Sequence, residues 1–310
     1  MSSCARLHNQ CMTHAHELEY LVVDVFTRSA LTGNPLDVVL DTIGLSTDAK
    51  QSVAREFNLS ETTFIERRAA HVEQAEGVRV RIFTTQEELP FAGHPTLGTA
   101  SVLRSIAPEI VHEDALTLAL NVGPIPVRFE ERDGAVFGEM TQRDPEFGAE
   151  MERAEVARLC GLSVDDLHPA AAPQVVSTGT AFAIVPLRSA DALARLDVHQ
   201  QEATERLRSL GARWFYVLGP TDGDAPAWRA RMQFYGGEDP ATGSAAGCAI
   251  SYLVDRNLVE SGRRIHVRQG VEMLRPSDLF LSAKRDGARV TDVRVGGSTV
   301  LVAKGRLFLP

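Results

Sequence analysis

One short motif occurs twice in this sequence of 310 residues, almost half a chain apart. His94–Ala100 and Asp239–Ala245 both read His or Asp, Pro, two variable residues, Gly, Thr or Ser, and Ala, and the second copy starts 145 positions after the first. Each copy follows an apolar strand and a glycine-containing turn, and each precedes a run compatible with a helix. The spacing predicts two similar domains, whose helix starts face each other across a cleft.

The motif predicts the start of a helix in each domain. Proline suits the first helical turn, where its missing N–H is no loss. We therefore expect helices from Pro95 through Leu103 and from Pro240 onward. The residues before the prolines, His94 and Asp239, are then expected at the N-caps.

The glycines of the motif are unusual choices for a helix. Gly98 and Gly243 each cost about 1 kcal/mol relative to alanine inside a helix, and a close approach to the backbone would justify that cost. The free N–H groups and positive dipole end of a helix start favour an anion. Two ordinary capped helices are the alternative, which the half-chain spacing disfavours. Gly237–Ser244 also resembles a phosphate-binding loop, but its spacing is wrong and it has no lysine.

The remaining pattern is rich in strands. Helices fit Thr47–Phe57, Arg153–Cys160 and Glu202–Leu210, while short β-branched or alternating runs predict a larger number of strands. Because strands outnumber helices, we expect an α+β protein rather than a doubly wound sheet.

Composition excludes several classes of protein. Hydrophobic residues make up 44% and charged residues 24%, as in an ordinary globular protein. Acidic residues outnumber basic ones by 41 to 32, and the net charge of −9 argues against a nucleic-acid-binding protein. No apolar run approaches the roughly 18–20 residues that span a bilayer. Four cysteines make no disulfide framework, so we expect a cytoplasmic protein.

The first residues superficially resemble a metal-binding segment, since they include Cys4, His8, Cys11, His14 and His16. A structural zinc site needs its ligand pairs on a folded frame, and this stretch lacks the apolar periodicity of one. We expect a disordered tail over residues 1–17 and no metal site.

Glu61 is a candidate acid or base. It stands immediately before the apolar run Thr62–Phe64, where partial burial raises the pKa of a carboxyl toward the range of a general base. Most glutamates at the entrance of a strand are solvated, so the position alone is weak evidence.

Three segments together resemble the phenazine-biosynthesis isomerase (PhzF-like) family, and they are Asn58–Phe64, Pro90–Pro95 and Gly237–Ala245. Further matches are Val23–Phe26, Thr32–Pro35, Ser177–Gly179 and Gln269–Gly270, so the resemblance extends from about Tyr20 to Phe308. It implies a fold similar to that of diaminopimelate epimerase, with two similar domains, each a curved, mostly antiparallel sheet or barrel around a central helix. We expect residues 18–127 plus 297–310 in the N-terminal domain and 128–296 in the C-terminal domain.

The resemblance also implies roles for individual residues. Glu61 is expected to be the acid/base that moves a proton, and His94 and Asp239 to flank the substrate as further catalytic residues. The substrate-binding residues implied by the resemblance are Gly93, Gly179, Gly243 and Ser244.

The implied reaction is the isomerisation of trans-2,3-dihydro-3-hydroxyanthranilate, or of a similar small carboxylated substrate, without cofactor or metal. Cys160 and Cys248 are interpreted as buried small hydrophobes, so a single strong base, Glu61, favours returning the proton to the same face. An amino-acid racemase or epimerase and a non-catalytic binder of small anions are the alternatives. We also expect a homodimer that has neither a nucleic-acid nor a membrane partner.

Overall fold

The computed structural model describes residues 16–132, 134–223, 227–234 and 237–309. The helices in these ranges are α1 (Thr47–Phe57), α2 (Ala70–Glu76), α3 (Gly93–Ile106), α4 (Arg153–Leu159), α5 (Gln200–Ser209) and α6 (Gly243–Asp255). The strands are β1 (His16–Val25), β2 (Asn34–Val39), β3 (Thr62–Glu66), β4 (Val78–Phe83), β5 (Glu88–Leu89), β6 (Ala115–Leu120), β7 (Gly123–Arg132), β8 (Ala135–Thr141), β9 (Glu146–Glu150), β10 (Gln174–Ser177), β11 (Ala181–Pro186), β12 (Phe215–Pro220), β13 (Trp228–Arg231), β14 (Gln233–Phe234), β15 (Gly237–Glu238), β16 (Ile265–Gln269), β17 (Ser277–Asp286) and β18 (Arg289–Leu309). No helix within these ranges has the length and apolar character needed to cross a membrane.

The strand pairings repeat between the two halves of the chain. In the first half β1 is antiparallel to β2, β2 parallel to β3, β3 antiparallel to β4, β4 parallel to β6, and β6 antiparallel to β7. The strands β10, β11, β12, β13, β16 and β17 follow the same series of antiparallel and parallel pairings. In the chain, α3 lies between β4 and β6, and α6 between β13 and β16. The expected α+β fold of two similar units is confirmed, and the sequence motif marks the same place in each unit.

The long strand β18 joins the two units. Its first part, Arg289–Gly296, pairs with β17 of the second unit. Arg294–Ser298 pairs with β8, and Thr299–Leu309 pairs with β1. Because β1 pairs with both β2 and β18, the first unit closes into a barrel.

Each unit encloses one helix. Residues 93–100 of α3 and 243–254 of α6 are all buried. Small side chains let a helix fit inside such a barrel, and Gly98 is an example: a Cβ there would lie 2.7 Å from side-chain carbons of both Leu36 and Val25. The close approach expected at Gly98 is therefore made by the barrel wall.

The helix starts differ from the sequence prediction. α3 begins at Gly93, ahead of Pro95, and α6 begins at Gly243, after Pro240. The expected N-cap positions of His94 and Asp239 are therefore wrong. His94 lies within the first turn of α3, while Asp239 is held in a turn before α6 by a backbone bond to Met232.

The expected boundaries of the tail and of the domains can be compared with the elements β1 and β7. The chain over residues 1–15, with the suggested metal ligands Cys4, His8, Cys11 and His14, lies outside the described residues. β1 begins at His16, so it takes in the last two residues of the expected tail. Residue 128 falls inside β7, and the domain boundaries stay a prediction.

The starts of α3 and α6 touch through two glycines. A Cβ on Gly93 would lie 2.5 Å from both the carbonyl carbon of Gly243 and the backbone nitrogen of Ser244. A Cβ on Gly243 would lie 3.1 Å from the Cα of Gly93 and from the ring of Phe26. The facing helix starts expected from the repeat are thus in backbone contact, at a distance that excludes any side chain on Gly93.

We expect Gly93→Ala to lower the melting temperature, because the added methyl group would clash with backbone atoms of Gly243 and Ser244, which cannot move aside as a flexible side chain would. Overpacking of this kind typically costs about 1–3 kcal/mol. Gly223→Ala is the control, since nothing in the described chain lies within 4 Å of a Cβ there. Thermal unfolding of both variants checks this, and equal melting temperatures would contradict the backbone contact.

Candidate active site

Glu61 lies at the junction of α1 and β3, which the local sequence builds. Ser46 caps α1 by accepting a hydrogen bond from the backbone of Ala49, and Asn58 ends the helix in the left-handed region at φ 54°. Asparagine tolerates this region better than most residues do. The chain then turns into β3 at Thr62, which leaves Glu61 at the strand entrance.

The Glu61 side chain is buried against His94. Only 17% of it is exposed, and its Oε2 lies 3.5 Å from His94 Nε2. Both atoms are buried without a hydrogen-bond partner in the described part of the chain. Burial, followed by the negative charge of Asp239, raises the pKa of Glu61 to about 8. The carboxyl group therefore holds a proton at neutral pH.

His94 is a neutral side chain in this site. Burial lowers its pKa to about 3, although a hydrogen bond to the backbone of Pro35 opposes the shift. Its Nδ1 lies 3.1 Å from Asn34 Nδ2, and its Nε2 faces Glu61. His94 can thus exchange hydrogen bonds beside Glu61 without bringing a positive charge.

Asp239 is the second buried carboxyl group of the site. Its Oδ2 accepts a 2.7 Å hydrogen bond from the Thr242 hydroxyl, and its Oδ1 accepts one of 2.7 Å from Asn34 Nδ2. Burial raises its pKa to about 6, and these two hydrogen bonds act in the opposite direction. At neutral pH Asp239 is therefore ionised while Glu61 is protonated.

Asn34 is a site residue that the sequence analysis quoted only as part of a family match. Its Nδ2 contacts Asp239 and also the carbonyl oxygen of Ala241 at 2.8 Å, and so ties β2 to the start of α6. Its Oδ1 is buried with no partner among the described residues. A buried asparagine at the first position of a mostly apolar strand was the available signal.

The four expected substrate-binding residues lie at or beside the helix starts. Gly93, Gly243 and Ser244 form the backbone contact between α3 and α6. Gly179 has φ 139°, and a Cβ there would lie 3.5 Å from the ring of Phe91, two residues ahead of α3. No direct contact joins Gly179 or Ser244 to Glu61 in the described hydrogen bonds and ion pairs, and their roles stay predictions.

Gly179 is linked to the start of α6 by buried side chains. Its neighbour Thr178 donates a 2.6 Å hydrogen bond to Gln142 Oε1, and Gln142 Nε2 donates one of 2.9 Å to the Gly243 carbonyl. The loop that follows β10 is thereby anchored to the first turn of α6.

The two described cysteines are buried, as expected. Cys160 and Cys248 are free thiols, and burial raises their pKa to about 12 and about 11. Neither is a thiolate at neutral pH. Within the described ranges, no three His, Cys, Asp or Glu side chains lie close enough together to hold a metal ion.

The site contains three buried polar atoms without partners in the described chain: Asn34 Oδ1, Glu61 Oε2 and His94 Nε2. Buried polar atoms in proteins nearly always have a hydrogen-bond partner, so unpaired ones indicate a position for a ligand or a water molecule. The site can therefore hold a polar small molecule beside a protonated carboxyl group.

Comparison with known proteins agrees with this geometry. A family model described as phenazine biosynthesis-like protein matches residues 23–305. The trans-2,3-dihydro-3-hydroxyanthranilate isomerase of Pseudomonas aeruginosa is 36% identical over 294 residues, which covers 94% of this chain and 99% of that protein. An uncharacterized isomerase of Mesorhizobium japonicum is 34% identical over 305 residues, which covers 94% of this chain and 98% of that protein.

Solved structures show the same fold. A predicted epimerase of Pseudomonas aeruginosa has a TM-score of 0.80 and 34% identity, covering 94% of this chain and 100% of its own. A hydroxyproline epimerase of Agrobacterium vitis has a TM-score of 0.62 at 12% identity, with coverage of 96% and 92%, and shares the fold alone.

We expect the stability of the protein to depend on pH through Glu61. The folded protein holds the Glu61 proton up to pH about 8, whereas the unfolded chain releases it near 4.5. The stability that this proton contributes is complete below pH 4.5 and is lost as the pH rises through 8. Relative to Glu61→Gln, the wild-type free energy of unfolding should therefore fall by up to about 1.4 kcal/mol per pH unit across this window.

Urea unfolding at several pH values measures this dependence. Glu56→Gln is the control, because Glu56 is an exposed glutamate of α1 and its replacement should leave the wild-type curve unchanged. Parallel curves for the wild type and Glu61→Gln would show that the Glu61 carboxyl is not held protonated.

Proposed function

The chain belongs to the phenazine biosynthesis-like protein family and is an isomerase, and we propose that it shifts a proton within a small carboxylated substrate without a cofactor. The proposed substrate is trans-2,3-dihydro-3-hydroxyanthranilate or a compound similar to it. One observation carries the proposal: the buried Oε2 of Glu61 lies 3.5 Å from the neutral imidazole of His94, and neither atom has a partner in the described chain.

In the proposed mechanism, Glu61 is the group that carries the proton. Because Glu61 holds a proton at neutral pH, the reaction starts from the minor fraction of Glu61 that is ionised. This carboxylate takes a proton from one carbon of the substrate, and its raised pKa makes it a stronger base than an ordinary glutamate. The protonated carboxyl then returns the proton to another carbon on the same face. His94 and Asp239 flank the reacting atoms and hold the polar groups of the substrate.

The helix starts are the proposed site for the substrate carboxylate. The first N–H groups of α3 and α6 lack partners within their helices, and the two dipoles add their positive ends at the same place. The backbone contact between Gly93 and Gly243 brings both ends to the site. Ser244, in the first turn of α6, supplies a hydroxyl group beside them.

An epimerase is the second candidate, because solved structures of a predicted epimerase and of a hydroxyproline epimerase share this fold. Inversion of a carbon needs acid/base groups on two faces of the substrate. Glu61 immediately precedes β3, and the corresponding strand of the second unit, β12, is preceded by Trp214, which cannot act as a base. At this position the duplicated frame thus has a glutamate in the first unit and a tryptophan in the second, which favours transfer on one face.

We expect Glu61→Gln to reduce turnover of trans-2,3-dihydro-3-hydroxyanthranilate by about 10²–10⁴-fold, the usual contribution of general acid–base catalysis. The amide is nearly isosteric, so ligand affinity and the circular dichroism spectrum should stay close to those of the wild type. Glu56→Gln, which alters the exposed face of α1, is the matched control and should retain full turnover.

Deuterium incorporation from heavy water and the stereochemistry of the product separate the alternatives. A folded Glu61→Gln variant with wild-type turnover would remove Glu61 from the mechanism. An inverted carbon with an otherwise unchanged skeleton would identify an epimerase, and binding without any exchange would identify a binder.

We expect the substrate carboxylate to be required for binding. Replacing it with a carboxamide removes the charge that two helix starts stabilise by about 0.3–1 kcal/mol each, so the affinity should fall about 3- to 30-fold. Calorimetric titration of Glu61→Gln with both compounds measures this without turnover. Equal affinities would contradict the proposed anion site.

The homodimer and the cytoplasmic location stay predictions. Size-exclusion chromatography with light scattering, at several protein concentrations, measures the oligomeric state directly.

A further inference from the structure

Behind Asp239 lies a buried chain of hydrogen bonds that the proposed mechanism does not use. Tyr216 and Gln269 are completely buried, and Thr242 is 6% exposed. The Tyr216 hydroxyl is 3.1 Å from Gln269 Oε1, Gln269 Nε2 is 3.0 Å from the Thr242 hydroxyl, and that hydroxyl is 2.7 Å from Asp239 Oδ2. The chain thus runs from β12 through the last residue of β16 to the carboxyl group in the active site.

The direction of each hydrogen in this chain is determined by its neighbours. Gln269 Oε1 also accepts the backbone N–H of Thr242, and Gln269 Nε2 also donates to the Asp239 carbonyl. A flipped amide would place donors against donors and an acceptor against a carbonyl, so only one orientation fits. Burial raises the pKa of Tyr216, so its hydroxyl keeps its proton and donates a hydrogen bond to Gln269 Oε1.

The orientation of the Thr242 hydroxyl hydrogen is consequently fixed. Because it accepts from Gln269 Nε2, its own hydrogen points to Asp239 Oδ2. On the other side of the carboxyl group, Asn34 Nδ2 points a hydrogen at Oδ1, and its contact with the Ala241 carbonyl holds the amide in that orientation. Both oxygens of Asp239 therefore accept hydrogen bonds.

A carboxylate satisfies these donors, whereas a protonated Asp239 does not. A proton on either oxygen of Asp239 would turn that oxygen into a donor facing another donor, the N–H of Asn34 or the O–H of Thr242. Glu61 has the opposite surroundings, since its buried Oε2 receives no hydrogen bond from the described residues. The two carboxyl groups thus differ in the donors that reach them.

The other groups that face Asp239 do not reverse this difference. Glu238 acts on Asp239 with negative charge, but it is neutralised by a 2.5 Å ion pair with Arg231. Glu61 holds its proton, and it is the charge of Asp239 that acts on Glu61. His94 is neutral, and Tyr216 is protonated. The hydrogen-bond chain is therefore the feature that distinguishes Asp239 from Glu61.

We propose that Thr242, Gln269 and Tyr216 are positioning residues that keep Asp239 ionised and thereby place the single proton of the Glu61–Asp239 pair on Glu61. This inference rests on the proposed role of Glu61 as the proton carrier. It explains why Glu61 rather than its neighbour Asp239 holds the proton, and why the negative charge of the pair lies on Asp239. None of the three residues needs to touch the substrate.

The test is a titration of the Asp239 carboxyl carbon by ¹³C NMR in protein labelled at aspartate, with Asp239→Asn used for assignment and no substrate present. Thr242→Val removes the hydroxyl at nearly constant volume, and the Asp239 titration should move upward by about one pH unit. Tyr216→Phe should move it in the same direction by less, since it acts through Gln269. Thr242→Ser retains the hydroxyl and should restore the wild-type curve.

Tyr252→Phe is the matched control for Tyr216→Phe. Tyr252 is also completely buried, and its hydroxyl donates a 2.6 Å hydrogen bond to the Ala172 carbonyl, outside the chain to Asp239. Its replacement should lower stability without moving the Asp239 titration. If Tyr216→Phe and Thr242→Val both leave that titration unchanged, or if Tyr252→Phe shifts it equally, the proposal is wrong.

A second measurement separates this inference from the proposed function. The acid limb of the pH profile of turnover should move downward in Tyr216→Phe, because an Asp239 that holds more of the shared proton leaves Glu61 ionised at lower pH. It should stay in place in Tyr252→Phe. A shifted NMR titration with an unshifted turnover profile would retain the charge assignment and reject Glu61 as the proton carrier. An unshifted NMR titration would overturn the positioning role whatever the enzyme does.

Discussion

The contact between Gly93 and Gly243 is the constraint on which the rest of the site depends. It brings two buried helix starts into backbone contact, which no side chain on Gly93 would allow. Each helix is enclosed by its own set of strands, and β18 runs through both sets. The strands therefore hold the helices, the starts of the two helices contact each other, and the polar residues around these starts have little freedom to move.

The frame is duplicated, but the chemistry is not. The two units share one series of strand pairings and one helix motif, yet His94 stands in the first copy where Asp239 stands in the second. Burial moves their pKa values in opposite directions, since it lowers the pKa of the histidine to about 3 and raises that of the aspartate to about 6. Both shifts follow from the cost of burying a charged form. His94 is therefore a neutral side chain beside Glu61, whereas Asp239 and Glu61 form a pair of neighbouring acids.

Asn34 joins these features into one unit. It is the first residue of β2 in the first unit, and its amide donates hydrogen bonds to Asp239 and Ala241, which lie shortly before α6 of the second unit. A single side chain thus connects the two halves at the point where their chemistry meets. A hydroxyproline epimerase at 12% identity shares this fold, and a shared fold does not by itself determine the reaction.

The sequence by itself determined the duplicated architecture, most of the helices and strands, the family and the candidates Glu61, His94 and Asp239, because these depend on local periodicity and on motifs of consecutive residues. It misplaced both helix starts, since the residues that begin α3 and α6 depend on the backbone contact at Gly93 and Gly243. It also left Asn34, Gln269 and Tyr216 without roles. Asn34 meets Asp239 across 205 positions of chain, and Tyr216 meets Gln269 across 53. Only the tertiary structure decided these contacts and the burial that shifts the pKa of each acid, because both arise when distant strands close around the helices and exclude water from the groups between them.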